Sequence, residues 1–459
     1  MFAAWGSFTY RFRWAVLTVL TAAVVGAGGW GLGVFDQLTE GGYHDPGSES
    51  ARAAAAVQDA LGPQGGDIVV VYTPQTGTVD DPAVGQAVTA DLAALPRDAV
   101  TGVTSYWQTR APQLATGDRR SAVAVLTLAG DDDSAKIAAY RQVKDSLTVP
   151  GVDTAVGGGI ALQDSSNARS KADLARAEMF SLPIVLILLV VIFGSLVAAA
   201  LPVLVGSLAV LGSLGVLHAE ALTTEVNSFA VNVASLLGLG MAIDYGLFMV
   251  GRFREELAAG HPTATAVRNT VATAGRTVVF SATLLIIALA GLLLFPQEFL
   301  RSLSYGGTAA VALAALISLT LLPALLGVLG PRVDRFSVRR TRETTSRGWD
   351  RLARFTMRRP AWVALPIAVV LLLLAAPVTQ VNFGELDERV LPRDDAARRA
   401  TETIKADFPA MSGNGVRVVL TGGPVDPAAA QAFADRVGQV DGVAAVTPGG
   451  TAADLVLFT

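Results

Sequence analysis

Cysteine is absent from the 459 residues, which excludes disulfides and thiolate metal sites. Histidine is scarce: His44, His218 and His261 are scattered at no metal-ligand spacing, so no metal is expected. No Gly-x4-Gly-Lys-Ser/Thr phosphate loop is present, which leaves no recognisable ATPase of that kind. Charge is also thin, at 16% of residues. The net charge of −4 says little until it is divided between compartments, and no nucleic-acid partner is expected. What the chain has instead is apolar surface. Hydrophobic residues make up 52% of it and the mean hydropathy is +0.48. A soluble chain of this size is rarely so apolar, so the first inference is a membrane protein.

Six apolar runs carry that inference. Ala15–Phe35 holds 21 residues, close to the ~20 needed to cross the hydrocarbon core. A cleaved signal peptide is the rival reading of this run. No small-x-small site stands out after it, and its Gly-rich end suits helix packing. Ser181–Leu217 is uncharged for 37 residues. As one helix it would be roughly 55 Å long, too long for a ~30 Å core, so it reads as two spans turning between Gly194-Ser195 and Pro202. Val226–Gly251, Thr277–Gln297, Ser302–Gly330 and Ala361–Gly384 complete seven expected spans.

Charge orients them. With the N-terminal residues 1–14 inside, the loop "GRFREELAAGHPTATAVRNTVATAGRT" and the linker Pro331–Pro360 fall on the cytoplasmic side. The linker carries ten arginines and three acids. The short outer loop "HAEALTTEV" has no Lys or Arg. This agrees with the positive-inside rule and predicts a multi-pass plasma-membrane protein. The linker offers a contact for anionic lipid head groups, beside its plainer reading as an orientation signal and solvated linker.

Between the first two spans, Asp36–Met179 reads as an extracytoplasmic α+β domain. "DIVVVYTP", "VTGVTSYW", "SAVAVLTL" and "VDTAVGG" have strand composition, and "SESARAAAAVQDAL", "PAVGQAVTADLAAL" and "SAKIAAYRQVKDSL" have helical composition. Residues 180–330 form the expected bundle of spans two to six. After span seven, residues 385–459 restart the pattern: "LPRDDAARRATETIKADFPAMSGNGVRVVLTGG" mirrors "YHDPGSESARAAAAVQDALGPQGGDIVVVYTP". An internal duplication is expected, as in many secondary transporters. The second copy stops in a strand at "DLVLFT", so the chain reads as one half of a duplicated protein plus the start of the other. The fold class is therefore an α-helical polytopic membrane protein with α+β domains outside the membrane.

One residue does not belong in this apolar pattern. Asp244 lies inside the fourth expected span, where a carboxylate costs ~2.5–3.5 kcal/mol on insertion scales. Burial raises an acid's pKa toward working pH, which suits a proton relay, and Tyr245 follows with a hydroxyl able to donate to it. At helical spacing Gly240, Asp244 and Phe248 share one face, while Gly238, Ala242 and Gly246 form a ridge of small residues for close packing. Gly240 is counted with these packing positions. Asp244 and Tyr245 are thus expected to meet a neighbouring helix. A neutral acid that only fixes packing is the alternative. Arg252 and Arg254 read as anchors in the cytoplasmic interface. Ser281 and Thr283 lie inside span five, where most hydroxyls bond back to their own helix.

The stretch "LGLGMAIDYGLFMVGRFREE" resembles the fourth-span signature of the MMPL transporters, a family of the resistance-nodulation-division superfamily. The N-terminal "MFAAWGSFTYRFRW", "DPGSES", "TAGRTVVFSA", "LLLFPQEFLRSLSY" and "RRPAW" extend the resemblance along the chain. The resemblance implies twelve spans in two repeats, each with an outer porter domain, and lipid export driven by the proton gradient without a cofactor. It implies that Asp244 titrates, that Tyr245 is its partner, and that Phe248 and Ser281 line the central pocket. The nearest subgroup exports trehalose monomycolate. Two departures stand out. The family's second Asp-Tyr pair is not in this sequence, so a second repeat or another chain is the expected partner, beside membrane lipids and the lipid substrate. The linker between spans six and seven is also shorter than in the mycolate exporters. Efflux of drugs or other amphiphiles, and a non-transporting scaffold role, remain alternatives. The outer domain offers no recognisable nucleophile, base and metal cluster, so an enzyme is not expected.

Overall fold

A computed structural model describes residues 1–43, 45, 47–62, 66–336, 347–380, 387–408, 417–421, 426–443, 446–452 and 455–458. His44, residues 337–346 of the Arg-rich linker, the last four residues of the expected seventh span, and parts of 385–459 lie outside the described residues.

Among the described residues, seven helical segments are long and apolar enough to cross a membrane: Arg13–Phe35, Gly159–Phe193, Leu196–Ala221, Ser228–Ala258, Thr263–Leu294, Glu298–Asp334 and Pro360–Thr379. A helix α1 (Phe2–Arg11) precedes α2 (Arg13–Gly31). The outer region then runs β1 (Leu38–Thr39), α3 (Glu49–Leu61), β2 (Ile68–Pro74), α4 (Pro82–Ala93), β3 (Val100–Ser105), α5 (Tyr106–Thr109), β4 (Ala122–Leu128), α6 (Asp133–Val143) and β5 (Val152–Gly157). The bundle follows as α7 (Gly159–Phe193), α8 (Leu196–Ala221), β6 (Val226–Asn227), α9 (Ser228–Ala258), α10 (Thr263–Ala290), α11 (Glu298–Leu319) and α12 (Leu321–Leu329). After α13 (Arg347–Arg358) and α14 (Pro360–Ala375) come α15 (Ala396–Asp407), β7 (Val418–Thr421), α16 (Pro427–Val437), β8 (Pro448–Ala452) and β9 (Leu455–Phe458).

Breaks in the apolar runs have local causes. The 37-residue run divides at Gly194, which takes φ +65°, a left-handed conformation that only glycine adopts cheaply. Ser195 then caps α8: its Oγ accepts from Ala198 N and donates to the carbonyl of Val333 at 2.9 Å. The turn is confined to these two residues, and Pro202 sits inside α8. The sixth span breaks at Thr320, between α11 and α12. Pro323 has no N–H to offer the Leu319 carbonyl four residues back. That carbonyl is met instead by Trp5 Nε1 of α1 at 3.0 Å.

In the outer region, β2 to β5 form an antiparallel sheet in the order β3-β4-β2-β5, the arrangement of a β-α-β-β-α-β unit. Strand β2 is central and reads as a continuous apolar run because both of its faces are covered. Helix α7 starts in the core of this domain, where Ile160 and Ala161 are buried, and continues for 35 residues into the membrane bundle.

The two copies of the expected duplication exchange a helix. Helix α15 closes the first sheet: a Cβ on Gly157 of β5 would meet Ile404 Cδ1 at 2.7 Å, and Ile404 and Phe408 belong to the first domain's core. Its N-cap Asp395 also accepts a hydrogen bond from Ser165 of α7 at 2.7 Å. In return α3, which precedes the first sheet in sequence, packs on the second sheet, ordered β7-β9-β8. There Val57 joins Leu455 and Leu457, and a Cβ on Gly450 would meet Leu61 at 3.0 Å. Sequence order drew the outer domain as the continuous stretch 36–179, whereas each sheet is completed by the other copy's helix.

Candidate functional site

Helix α9 is fixed firmly at its N-terminal end. Asn227 caps it, accepting from Phe229 N at 2.9 Å, and its Nδ2 donates to the Gly41 carbonyl at 2.6 Å. Asn227 N–H also donates to Ser302 Oγ of α11 at 3.0 Å. These bonds hold α9 against both the chain leaving α2 and the start of α11.

Below that cap the helix has two unlike faces. Gly238, Ala242 and Gly246 are buried between α8 and α11. A Cβ on Gly238 would lie 3.3 Å from Ala310 and Val210, and one on Gly246 would meet Pro202 at 2.7 Å. From the other side, a Cβ on Gly306 of α11 would strike the Ala230 carbonyl oxygen at 2.3 Å. The small residues therefore bring three backbones together, in the way membrane helices pack without a hydrophobic driving force.

Gly240, Asp244 and Phe248 form the opposite stripe. A Cβ on Gly240 would meet nothing within 4 Å, so among the described residues this glycine packs against no other helix, unlike the other three small positions. Phe248 is 48% exposed. Asp244 is exposed and makes no hydrogen bond or ion pair among the described residues. On the next helix, Phe280, Leu284 and Ile287 of α10 are each more than half exposed.

Tyr245 points the other way. It is 3% exposed and its hydroxyl is buried without a hydrogen-bond partner. Ser281 of α10 lies beside it, close enough to interact but outside hydrogen-bond geometry. Adjacent residues are 100° apart on a helix. Hence Asp244 and Tyr245 do not meet the same neighbour: Tyr245 is enclosed by its own bundle, and Asp244 faces outward. Structure thus joins Tyr245 to Ser281 and aligns Asp244 with Phe248. Thr283 bonds back to the Val279 carbonyl at 2.8 Å and takes no part.

The other end of α9 holds a cluster that motif reading missed. Glu256 is buried and receives Arg252, Asn269 Nδ2 at 2.8 Å and His261 Nδ1 at 3.0 Å. Arg254 pairs with Asp334 at 2.8 Å and donates to the Phe193 carbonyl at 2.8 Å. Arg252 thus bonds within α9 to Glu255 and Glu256, Glu256 ties α9 to Asn269 of α10, and Arg254 ties it to the end of α7 and to Asp334 just past α12. The i,i+4 spacing of Arg252 and Glu256 was the available signal.

A second charged cluster sits where α2 leaves the membrane. Glu40 is 6% exposed. It accepts from Lys171 of α7 at 2.5 Å, Arg141 of α6 at 2.8 Å and Asn167 of α7 at 3.1 Å. Burial works to raise its pKa, but the Lys171 and Arg141 charges and the hydrogen bonds outweigh it and hold the carboxyl below its ordinary value. Nearby, the carboxyl of Glu298 lies beside Glu225, and that second carboxyl, with burial, pushes the pKa of Glu225 up.

Residues 43–363 match the model of the MMPL family. The chain belongs to that family. It is 37% identical over 456 aligned positions to a trehalose monomycolate exporter of Mycobacterium tuberculosis, covering 92% of this chain and 48% of the relative. A membrane protein of Streptomyces coelicolor is 39% identical over 423 positions, 90% of this chain and 58% of the relative. An exporter of mycolic acid-containing lipids from Mycolicibacterium smegmatis is 32% identical over 397 positions, 83% of this chain and 41% of the relative. This MMPL chain thus spans about half the length of the curated relatives it matches. It is a multi-pass membrane protein of a transporter family, related to lipid exporters.

Proposed function

We propose that this chain forms the first half of a transporter that exports a lipid or glycolipid, driven by the proton-motive force. One observation carries the reading: Asp244 stands unpaired on an uncovered stripe of an apolar membrane helix. A carboxylate there is costly, and such residues are functional by default. Asp244 takes up and releases the proton. In its charged form it favours contact with a polar partner across the open face of α9 and α10; in its neutral form that face accepts apolar packing. A second repeat, from the rest of a longer chain or from another chain, covers this face and supplies the answering polar groups. Tyr245 and Ser281 line the inner side of the relay and Phe248 borders the pocket.

One proton moving through 100 mV releases ~2.3 kcal/mol, enough to bias two arrangements of the halves about fiftyfold. The basic ends of the bundle face the cytoplasm in this reading, and the α+β domains stand outside, where they receive the lipid and shield its chain. The cargo is of mycolate type where the organism makes mycolates, by analogy with the relatives' names. The test is complementation of a deletion strain with wild type and Asp244→Asn, followed by profiling of cell lipids. The proposal expects the deletion to accumulate an unexported lipid and Asp244→Asn not to relieve it. Full relief by Asp244→Asn overturns the relay, and altered drug tolerance with an unchanged lipid profile overturns the cargo.

A further inference from the structure

The geometry points to a binding site for one acyl chain of an anionic phospholipid, in the groove between α1, α2 and α11, with Arg11 as its head-group cation. This inference is independent of the proton step.

Helix α1 lies across the end of the bundle where α10 begins and α12 ends. A Cβ on Gly6 would lie 2.9 Å from Arg268 Cα, and one on Gly327 would meet Tyr10 at 2.9 Å. The Trp5 bond to the Leu319 carbonyl fixes the third contact and holds the Trp5 ring in place. Beside this docked helix runs a recess of about 520 Å³. Its walls are Phe8 and Phe12 of the α1 segment, Val16, Val19 and Ala23 of α2, and Leu316 of α11. A second recess of about 510 Å³ continues it past Trp5 and Phe8. Each lies within the ~300–1,000 Å³ of ordinary ligand pockets.

Three features select the occupant. The groove runs from Phe12 along α2 to Ala23, a rise of eleven residue steps or roughly 16 Å of helix, which is about half of a ~30 Å hydrocarbon core and so the depth of one leaflet. It flanks two membrane helices, so what fills it comes from the bilayer. At its mouth Arg11 sits 5.5 Å over the Phe12 ring, exposed and without a carboxylate partner among the described residues. An exposed guanidinium at the surface end of an apolar slot one leaflet deep matches a phosphate above an alkyl chain.

The test uses the whole chain, purified in detergent and washed free of lipid, then titrated with dioleoyl phosphatidylglycerol or dioleoyl phosphatidylcholine and read by native mass spectrometry. Wild type should bind one phosphatidylglycerol about fivefold tighter than phosphatidylcholine, the scale of one basic residue at an anionic surface. Val19→Trp fills the groove and should lose that lipid, and Ala23→Phe should do the same if Val19→Trp folds poorly. Val25→Trp, on the same helix outside the groove, should keep it. Arg11→Gln should equalise the two lipids without weakening phosphatidylcholine. Equal binding of the two lipids by wild type, or lipid binding in both filled variants equal to that of Val25→Trp, overturns the site.

Discussion

Two carboxylates differ in whether their charge is answered inside the chain. Glu40, at the outer junction, is enclosed and answered by Lys171, Arg141 and Asn167. Asp244, at membrane depth, is uncovered and answered by nothing in the described chain. The first ties the exit of α2 to α6 and α7, and its cost of burial is offset on the spot. The second is left with its cost unmet, which makes sense only if another surface meets it or if its charge is meant to change. The same contrast runs along α9, whose small-residue ridge is packed tight while its Gly240 stripe is bare.

The largest effect should come from Asp244→Asn. Lipid export should fall to the level of the deletion strain, while the thermal midpoint of the purified chain stays close to wild type, because no contact in this chain is lost. A large drop in midpoint would erase the distinction from Glu40. Next comes Glu40→Ala, which should destabilise by about 2 kcal/mol. This is below the ~3–5 kcal/mol of a fully buried pair, because Lys171 and Arg141 are about half exposed and regain water. Thermal unfolding in detergent would measure it.

Glu40 also predicts a pH dependence. Its folded-state pKa is lowered, so its contribution is present above the ordinary value of 4.5 and is lost as pH falls through the folded value. Acid titration of the midpoint should therefore show a decline below about pH 4.5 that is shallower in Glu40→Gln. Glu225 should act with the opposite sign, since its pKa is raised: Glu225→Gln should relieve a repulsion at neutral pH and stabilise slightly.

Smaller effects separate the two faces of α9. Gly246→Ala places a methyl 2.7 Å from Pro202 and should cost ~1–3 kcal/mol. Gly240→Ala should be neutral or gain up to ~1 kcal/mol from helix propensity in the same unfolding assay. Equal losses at the two glycines would mean that the bare stripe is covered within this chain. Tyr245→Phe removes a buried hydroxyl that has no partner, and should raise stability by about 1 kcal/mol while lowering export.

The membrane character, the seven spans and the strands and helices of the outer region were legible because each depends on local composition and period. Asp244 was legible because a charge inside an apolar run needs no tertiary context to be noticed. The Glu256 cluster and the Glu40 cluster were not, since charged residues at helix ends and in loops are common and only their convergence is informative. Even the glycines of α9 could not be sorted by spacing alone: Gly238, Gly240 and Gly246 are alike in sequence, and only the neighbours Ala310, Val210 and Pro202 separate two of them from the third.

What this sequence determines by itself is therefore the set of elements and the position of its one costly charge, because hydrophobic run length and helical period act over neighbouring residues. Tertiary structure alone decided that α3 and α15 trade sheets, that Tyr245 turns inward while Asp244 turns out, and that Glu40 finds Lys171 131 residues away. Those outcomes depend on which surfaces are left to bury once the local elements exist. Side chains one residue apart on a helix, such as Asp244 and Tyr245, are sent to different neighbours by a 100° rotation whose direction only packing sets.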